Sequence, residues 1–498
     1  MVISIFSHNP KIMRKLTLLF FLLTLNLSLY AQEPIKLLEA NPHYFEYKGE
    51  PIALVTSAEH YGALLNTGFD FKTYLNTLKE AGMNYTRIFM GSYFEIPGDS
   101  FGIKNNTLAP NQGDVLVPWE QVEVDGKTKY NWAIYNPAYF ERLHEFMGVA
   151  QELDIIVEIT FFSSIYRDEH WAISPQNPGN RINAETKSLD RKLAHTLENG
   201  DLLSLQKGYV QKIVKELNRY DNFFFEIQNE PWSDRGISIL NLMNLYVTDG
   251  PDWTKEVEYP DQLSLDWQDA MVETIVSTEL DLPKKHLIAQ NYSNFKSALY
   301  DVNPNVSILN FHYNWPESAE WNFHLDRVIG FDESGFAGSE DWVYRRQAWA
   351  FMMSGGGLFN HLDYSFFVGK EDGTGINDAP GGGSAQFRSE MKILSDFIHT
   401  MNLENAKPAK HKIKASPGLI PFAMDDGSDG IALYVIEAGK RDSYVTLEIK
   451  PGDYEIHMLD VISGDQKTLG AHEIKANELV LTVNLENGEA LYHIQRVE

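Results

Sequence analysis

Phe223-Phe224-Phe225-Glu226-Ile227-Gln228-Asn229-Glu230-Pro231-Trp232 is the stretch that decides how this chain folds. Its first half is short, continuous and apolar, the pattern of a parallel strand covered on both faces. Its second half ends that strand with Asn229, Glu230 and Pro231. A second apolar run, Val328-Ile329-Gly330-Phe331-Asp332-Glu333-Ser334-Gly335, also closes on a glutamate, and a third closes on Asn310-Phe311-His312-Tyr313.

Working outward from these runs, eight strand-like segments can be counted, at 52–56, 85–90, 155–161, 222–227, 286–290, 307–311, 327–331 and 357–361. Amphipathic helices lie between several of them, at 71–81 before Gly82, at 138–153 behind Pro137, at 202–217 and at 342–353. In the second of these, Phe140, Leu143, Phe146, Met147 and Ala150 share one face. The helices after the fifth and sixth strands are short or unclear. Eight strand–helix repeats predict an α/β fold, a closed (β/α)₈ TIM barrel rather than an open doubly wound sheet. No G-x-G-x-x-G follows a strand, so the dinucleotide fingerprint is missing. Long segments at 97–132, 163–201, 232–265 and 364–386 leave the C-terminal strand ends, the face that carries the active site in barrels. Gly381-Gly382-Gly383 reads equally as a lid hinge or as a plain loop.

The pattern changes after Asn402. Segments 443–449, 453–459 and 479–483 alternate apolar and polar residues, with turn signals at Pro451-Gly452 and Ser463-Gly464-Asp465. They predict a C-terminal β-sandwich domain at 405–498 behind a catalytic barrel at 32–404, the sandwich serving as a binding module or a brace. Residues 1–31 read as a signal peptide: Lys11, Arg14 and Lys15, an apolar run at 16–29, then Tyr30-Ala31-Gln32. That run is too short for a comfortable membrane span, and Met13 is an alternative start. The expectation is a secreted or periplasmic protein with no membrane span in the mature chain.

Composition narrows the chemistry. The 498 residues are 43% hydrophobic, enough for a large core and more than one domain. There is no cysteine, which excludes disulfides, thiolate catalysis and a lipid-modified cysteine. With 42 basic and 69 acidic residues the net charge is −27, and such a surface repels phosphate backbones. No nucleic acid partner is expected, and acidic polysaccharides are disfavoured for the same reason. No H-E-x-x-H, G-x-S-x-G or G-x-x-x-x-G-K-[ST] is present, and the acidic segment 371–378 lacks EF-hand spacing. The reading therefore carries no metal and no cofactor.

What remains is the pair of strand-end glutamates. Cleaving a glycoside with retention takes two carboxyl groups about 5–5.5 Å apart, one an acid/base and one a nucleophile. Placed on the fourth and seventh strands, Glu230 and Glu333 can converge on one sugar ring from different sides. Asn229-Glu230-Pro231 together with Glu333 resemble the clan A glycoside hydrolases, over roughly residues 51–404. The resemblance implies Glu230 as acid/base and Glu333 as nucleophile. It implies Arg87, in Tyr85-Thr86-Arg87-Ile88, as the arginine that positions the nucleophile, and Tyr313 as the tyrosine that hydrogen-bonds it. It also implies that Asn229 contacts the sugar 2-hydroxyl. Asn41-Pro42-His43-Tyr44-Phe45 with Gly49-Glu50-Pro51, and the tail around Gly452-Asp453-Tyr454-Glu455, are similar to cellulase-like members with a terminal β-sandwich. The match departs at strand eight, where many relatives carry tryptophan and this chain reads Phe359-Asn360-His361-Leu362-Asp363-Tyr364.

The implied activity is retaining hydrolysis of a β-linked oligo- or polysaccharide. It would need the Glu230 carboxyl pushed up by burial and by Glu333, while Arg87 and Tyr313 keep Glu333 ionised. His312, Trp315, Trp232, His60 and Tyr61 are further candidates for sugar contact, with Trp315 the foremost tryptophan. Each has a plainer reading beside it. His312 serves equally as a packed histidine, Glu333 as a structural partner of Arg87, and Glu230 as an acid at a helix N-terminus. Transglycosylation on the same site, and glycan binding without catalysis, are the rival functions.

Overall fold

The structure is a computed structural model and describes residues 33–497 other than 99, 241–251, 377–378, 440–441 and 486. The signal-peptide segment 1–31 lies outside the described residues.

Eight parallel strands form the central sheet: β1 (Leu54–Ala58), β2 (Tyr85–Phe89), β3 (Ile156–Ser163), β4 (Phe223–Asn229), β5 (Ile288–Asn294), β6 (Ile308–His312), β7 (Val328–Ser334) and β8 (Leu358–Leu362). Their order is β1-β8-β7-β6-β5-β4-β3-β2, so first and last strands pair, as in a barrel. Each of the eight expected runs is a strand. The first begins two residues later than its expected start, because Glu50–Ile52 pairs instead with Phe45–Tyr47 in a small N-terminal sheet. Among the described residues no ladder joins β1 to β2. The side chain of Asn84 stitches that seam, donating to the Ala53 carbonyl at 2.9 Å and accepting from Val55 N–H at 3.0 Å. Higher up, Phe89 N–H donates to the Tyr61 carbonyl at 3.0 Å.

Helices α1 (Phe71–Glu80), α2 (Pro137–Glu152), α3 (Leu202–Leu217), α4 (Gln262–Glu279), α5 (Asp341–Met352) and α6 (Ala385–Ile398) surround the strands. Their starts follow sequence logic. Asp70 caps α1 through Lys72 and Thr73 N–H, Asn136 and Pro137 open α2, and Ser384 caps α6. The sequence reading does not name α4. Its inner face buries Ser264, Gln268 and Thr274 among the apolar residues, which breaks the stripe that marks a helix. The helix after β6 is the short Pro316–Asn322, and none follows β5 among the described residues, in keeping with the unclear pattern there.

The barrel is filled in layers. At the bottom, each strand gives one apolar residue, including Leu54, Tyr85, Phe224 and Leu358, and Phe45 and Tyr47 plug the end. Fully burying one such side chain is worth about 1.5–3 kcal/mol. Two residues further along, the side-chain period of a strand brings Arg87, Glu158, Glu226 and Asn310 onto the next level, which is polar. A Cβ at Gly330 would collide with the Asn310 amide, so this level depends on glycine there.

Two of the long loops contain antiparallel hairpins, Trp119–Val124 with Lys127–Tyr135 and Gly236–Leu240 with Glu256–Pro260. The triple glycine is an anchored turn rather than a hinge. Gly383 N–H donates to Asp341 at 2.7 Å, and a Cβ at Gly381 would strike the Tyr364 ring. In the acidic segment after β8, Glu371 accepts from Gly369 and Asp70 N–H, while residues 377–378 lie outside the described residues.

The C-terminal region is antiparallel. One sheet holds Lys407–Pro408, β9 (Leu419–Asp425), β10 (Ile431–Glu437), β15 (Glu489–Arg496), β12 (Gly452–Leu459) and β13 (Gln466–Ile474), in that order. The second holds Ile413–Ala415, β11 (Asp442–Glu448) and β14 (Glu478–Asn484). Their inner faces share one core, with Leu433, Val445, Leu481 and Tyr492 among its members, so the arrangement is a sandwich. It is fastened to the barrel by ion pairs. Arg345 of α5 reaches Glu489 at 2.7 Å and is braced within the barrel by Glu390 of α6 at 2.9 Å, Arg346 reaches Glu489 at 3.1 Å, and Trp349 stacks on Tyr434.

Candidate active site

Several non-glycine residues at the C-terminal rim of the barrel adopt left-handed backbone: Tyr61 (φ 82°), Glu230 (φ 47°), Phe295 (φ 58°), Tyr313 (φ 49°) and Phe336 (φ 58°). Such conformations cost roughly 1–3 kcal/mol each and persist where the surroundings impose them, which is characteristic of sites. At Glu230 the turn ends β4, and Pro231 begins a short helix. The carboxylate does not cap that helix. It turns inward, accepting from His312 Nδ1 at 2.9 Å and from the Tyr166 hydroxyl at 2.9 Å.

Glu333, on β7, faces it. Its Oε1 accepts from the Tyr313 hydroxyl at 2.7 Å, and its Oε2 lies 3.4 Å from Arg87 Nη1 and 3.5 Å from His312 Nδ1. One ligand-type atom each from Glu230, His312 and Glu333 lies within 4.8 Å of the others. Glu158, Glu226 and Asp332 form a second such group beneath. By geometry either could take a cation. In the upper set the histidine nitrogen already serves Glu230, and in the lower set Arg87 is the resident cation.

Arg87 is fully buried and serves more than Glu333. Its Nε donates to Glu226 at 2.9 Å, and its Nη2 pairs closely with the same carboxylate. Nη2 also donates to Asn229 Oδ1 at 2.9 Å and lies 3.5 Å from Asp332. The contact to Glu333 is among the longer of the set. Asn229 is thus held by Arg87 at one end, and its amide donates to the Tyr166 hydroxyl at 2.7 Å at the other.

The charges run opposite to the sequence expectation. Burial pushes Glu230 up, but the hydrogen bond and charge of His312, helped by Tyr166, outweigh it and leave the carboxyl below its usual range. Burial pushes Glu333 up to about 7, against His312 and with help from the Glu230 charge. The reason lies in His312. Burial disfavours its cation, but Glu333 and Asp332 more than compensate and raise it well above an ordinary histidine, and the short contact is to Glu230. Carboxyls this close titrate as a pair rather than singly.

Both glutamates line one small cavity of about 80 Å³. Asn229, Tyr313, His60 and Tyr61 line it too. His312 and Arg87 do not reach its wall and act from behind it. Trp232 and Trp315 are also absent from the wall. Trp232 is buried, edge-on to His312, and the Trp315 ring is covered by the Lys296 ammonium 4.1 Å from its centre. The tryptophan at the edge of the site is Trp253, parallel to Phe295 and tilted on Tyr313. Sequence reasoning also missed Tyr166, Glu95, Asn106, Phe101 and Phe336, all on the wall. They sit in loops without periodicity, and their one legible signal is that those loops leave C-terminal strand ends.

An eight-stranded parallel barrel carrying a C-terminal sandwich is a fold also seen among solved structures of glycoside hydrolases. No family model and no curated protein sequence matches the chain. Solved structures do. A candidate glycoside hydrolase from Bacteroides vulgatus ATCC 8482 superposes with a TM-score of 0.63 at 13% identity, over 94% of this chain and 83% of that one. A family 5 glycoside hydrolase from the same organism gives 0.58 at 11% identity, over 93% of each chain. At such identities the likeness is one of fold.

Proposed function

We propose that this protein is a retaining glycoside hydrolase acting on β-linked sugars, with Glu230 as acid/base and Glu333 as nucleophile. The observation that carries the reading is the approach of an oxygen of Glu230 to one of Glu333, within 4.8 Å, on the wall of a single cavity. Retention uses carboxyls about 5–5.5 Å apart, whereas inversion needs about 6.5–9.5 Å to admit a water between them. A Glu333 oxygen attacks the anomeric carbon as the bond to the leaving oxygen breaks and Glu230 gives that oxygen its proton. Water then attacks the same carbon, Glu230 takes the water's proton, and Glu333 leaves as carboxylate. Tyr313 donates to Glu333 throughout. No step calls for a cofactor.

Burial holds the Glu333 carboxyl up and His312 holds Glu230 down, so for Glu230 to act as the acid substrate entry must shift a proton toward it. His312 Nδ1 touches both carboxylates, at 2.9 and 3.5 Å, and is the group through which the move runs. Resting protonation alone favours the reversed pair, Glu230 as nucleophile. Two variants separate the assignments. Glu333→Ala is expected to abolish turnover of every aryl β-glycoside. Glu230→Ala is expected to keep the first step on substrates with good leaving groups and to be rescued by azide. The opposite pattern establishes the reversed pair, and equal residual activity in both variants sinks the mechanism.

The catalytic unit in this reading is residues 32–404, with 405–498 as the accessory sandwich, in a secreted or periplasmic protein. No helix among the described residues is long and apolar enough to cross a membrane.

A further inference from the structure

The peptide of Glu230 is held by side chains from both neighbouring strands. On the β3 side the ladder runs to the end of the strand, with Ser163 paired to Asn229, and the Ser164 hydroxyl then donates to the Glu230 carbonyl at 2.6 Å. On the β5 side the ladder stops at Ala289 and Glu226, short of the glutamate. There the Asn291 side chain takes over, its Oδ1 accepting from Glu230 N–H at 3.0 Å. Asn291 and Ser164 are both fully buried, and neither lines the cavity.

Asn291 stands at a bulge in β5, where its pairing with Asn310 is followed by that of Ser293 with Phe311, leaving Tyr292 over. Bulges re-aim the side chains beside them. The Asn291 Nδ2 donates to Asp332 Oδ2 at 3.3 Å and also to Glu226. Chemistry fixes this orientation of the amide. Turned over, it would set its oxygen against carboxyl oxygens and its NH₂ against an N–H. Bracing the buried carboxyls alone would use only the nitrogen. The oxygen goes to Glu230, whose backbone is left-handed at φ 47° and ψ 53°. A non-glycine residue stays in that region only where its surroundings impose it. Asp332 directly precedes Glu333 in β7. One amide thus ties the turn that carries Glu230 to the strand that carries Glu333.

Resting on the glycosidase reading with Glu230 as acid/base, we infer that Asn291 and Ser164 are positioning residues that clamp the Glu230 turn from two sides, and that Asn291 sets its reach to Glu333. Without the clamp the turn relaxes toward ordinary backbone and carries the Glu230 carboxyl out of line with the leaving oxygen. Glu333 keeps its own supports, the Tyr313 hydroxyl and Arg87. The loss therefore falls on proton transfer and not on nucleophilic attack.

The test uses the full-length enzyme and two aryl β-glycosides of the sugar that wild type turns over best. One has phenol as its leaving group, and the other has dinitrophenol, which leaves without a proton. Asn291→Ala is expected to lose about 10- to 100-fold in kcat/KM on the phenyl glycoside, the cost of misplacing a catalytic group by about 1 Å. On the dinitrophenyl glycoside kcat/KM should fall at most a few-fold, while kcat and KM fall together, because release of the sugar still needs Glu230 as base. Glu230→Ala should show the same pattern more deeply. Ser164→Ala should follow it with smaller factors, and Ser164→Thr, which keeps the hydroxyl, should restore wild-type behaviour. A mere loss of folded enzyme lowers both substrates by one factor, and thermal melts measure it separately. Equal losses on the two substrates, or no loss, in a folded Asn291→Ala enzyme overturn the inference, and should that variant not fold, the same result in Ser164→Ala overturns it. In either case a Glu230→Ala enzyme that keeps its pattern leaves the hydrolase reading standing. A Glu230→Ala enzyme that loses both substrates equally, or a wild type that turns over no aryl glycoside, overturns the role of Glu230 and this inference with it.

Discussion

Replacing Arg87 by methionine tests what the arginine is for. The resemblance alone implies a loss of activity in a protein that still folds. The geometry implies more. Arg87 is fully buried and is the one arginine among Glu158, Glu226 and Asp332, all equally buried. Removing one partner of a buried ion pair costs about 3–5 kcal/mol, because the remaining charge is stranded. Unfolding entropy is about 2.1 cal/mol/K per residue, so a barrel of roughly 350 residues melts about 4–7 °C lower for that loss. The cost depends on pH. Arg87 holds Glu226 down against burial, so in the variant Glu226 rises further above its unfolded value. A group raised in the folded state stabilises below its unfolded pKa, and that contribution is lost as pH rises through the folded one. The gap in melting temperature between wild type and Arg87→Met should therefore widen from about pH 5 to pH 8. Thermal melts followed by circular dichroism at both pH values, beside the kinetics, measure it. A variant that melts like wild type at both values, and is merely slow, would refute this reasoning and return Arg87 to a role at the nucleophile alone.

Tyr313→Phe removes the 2.7 Å donor to Glu333 and so raises that carboxyl above about 7. The basic limb of the kcat/KM profile, where the pair loses its last proton, should move to higher pH, with a loss of about 10²-fold or more at neutral pH, and an unmoved limb speaks against this hydrogen bond holding Glu333 down. The first sugar released, followed by NMR before mutarotation, should keep the anomeric configuration of the substrate, and release of the opposite anomer excludes double displacement. Arg345→Ala strands Glu390 and takes one of its two arginines from Glu489, and should cost about 3 kcal/mol in urea unfolding, while surface Lys36→Ala costs under about 1 kcal/mol. Equal effects of the two would show that the junction is not held by its ion pairs.

The strands were legible because each is a short apolar run with polar residues beyond it, and Glu230, Glu333 and Tyr313 were legible because they stand where such runs stop. The positions of partners were less so. Arg87 was placed beside Glu333, yet its closest partner is Glu226, a residue hidden inside the apolar run itself. The proton balance could not be read at all, since it depends on a 2.9 Å contact between residues 82 apart in sequence. Helix α4 was obscured by buried Ser264 and Gln268, and the sandwich strands β10 and β15 by continuous burial that hides alternation. Tryptophans in loops offered no period to judge by, which is why Trp315 was favoured and Trp253 passed over.

The seam between β1 and β2 has a consequence for motion. Elsewhere around the ring, separating two strands means breaking a run of backbone hydrogen bonds, whereas here the bridge is chiefly one asparagine side chain and the Phe89–Tyr61 bond. Tyr61 and Phe89 are also two walls of the cavity. The cheapest place for the barrel to part its staves is thus directly beside the ligand. An occupant in contact with both rings would act as a rivet across the gap, and amide exchange along β1 and β2 should slow on binding more than along any other pair of strands.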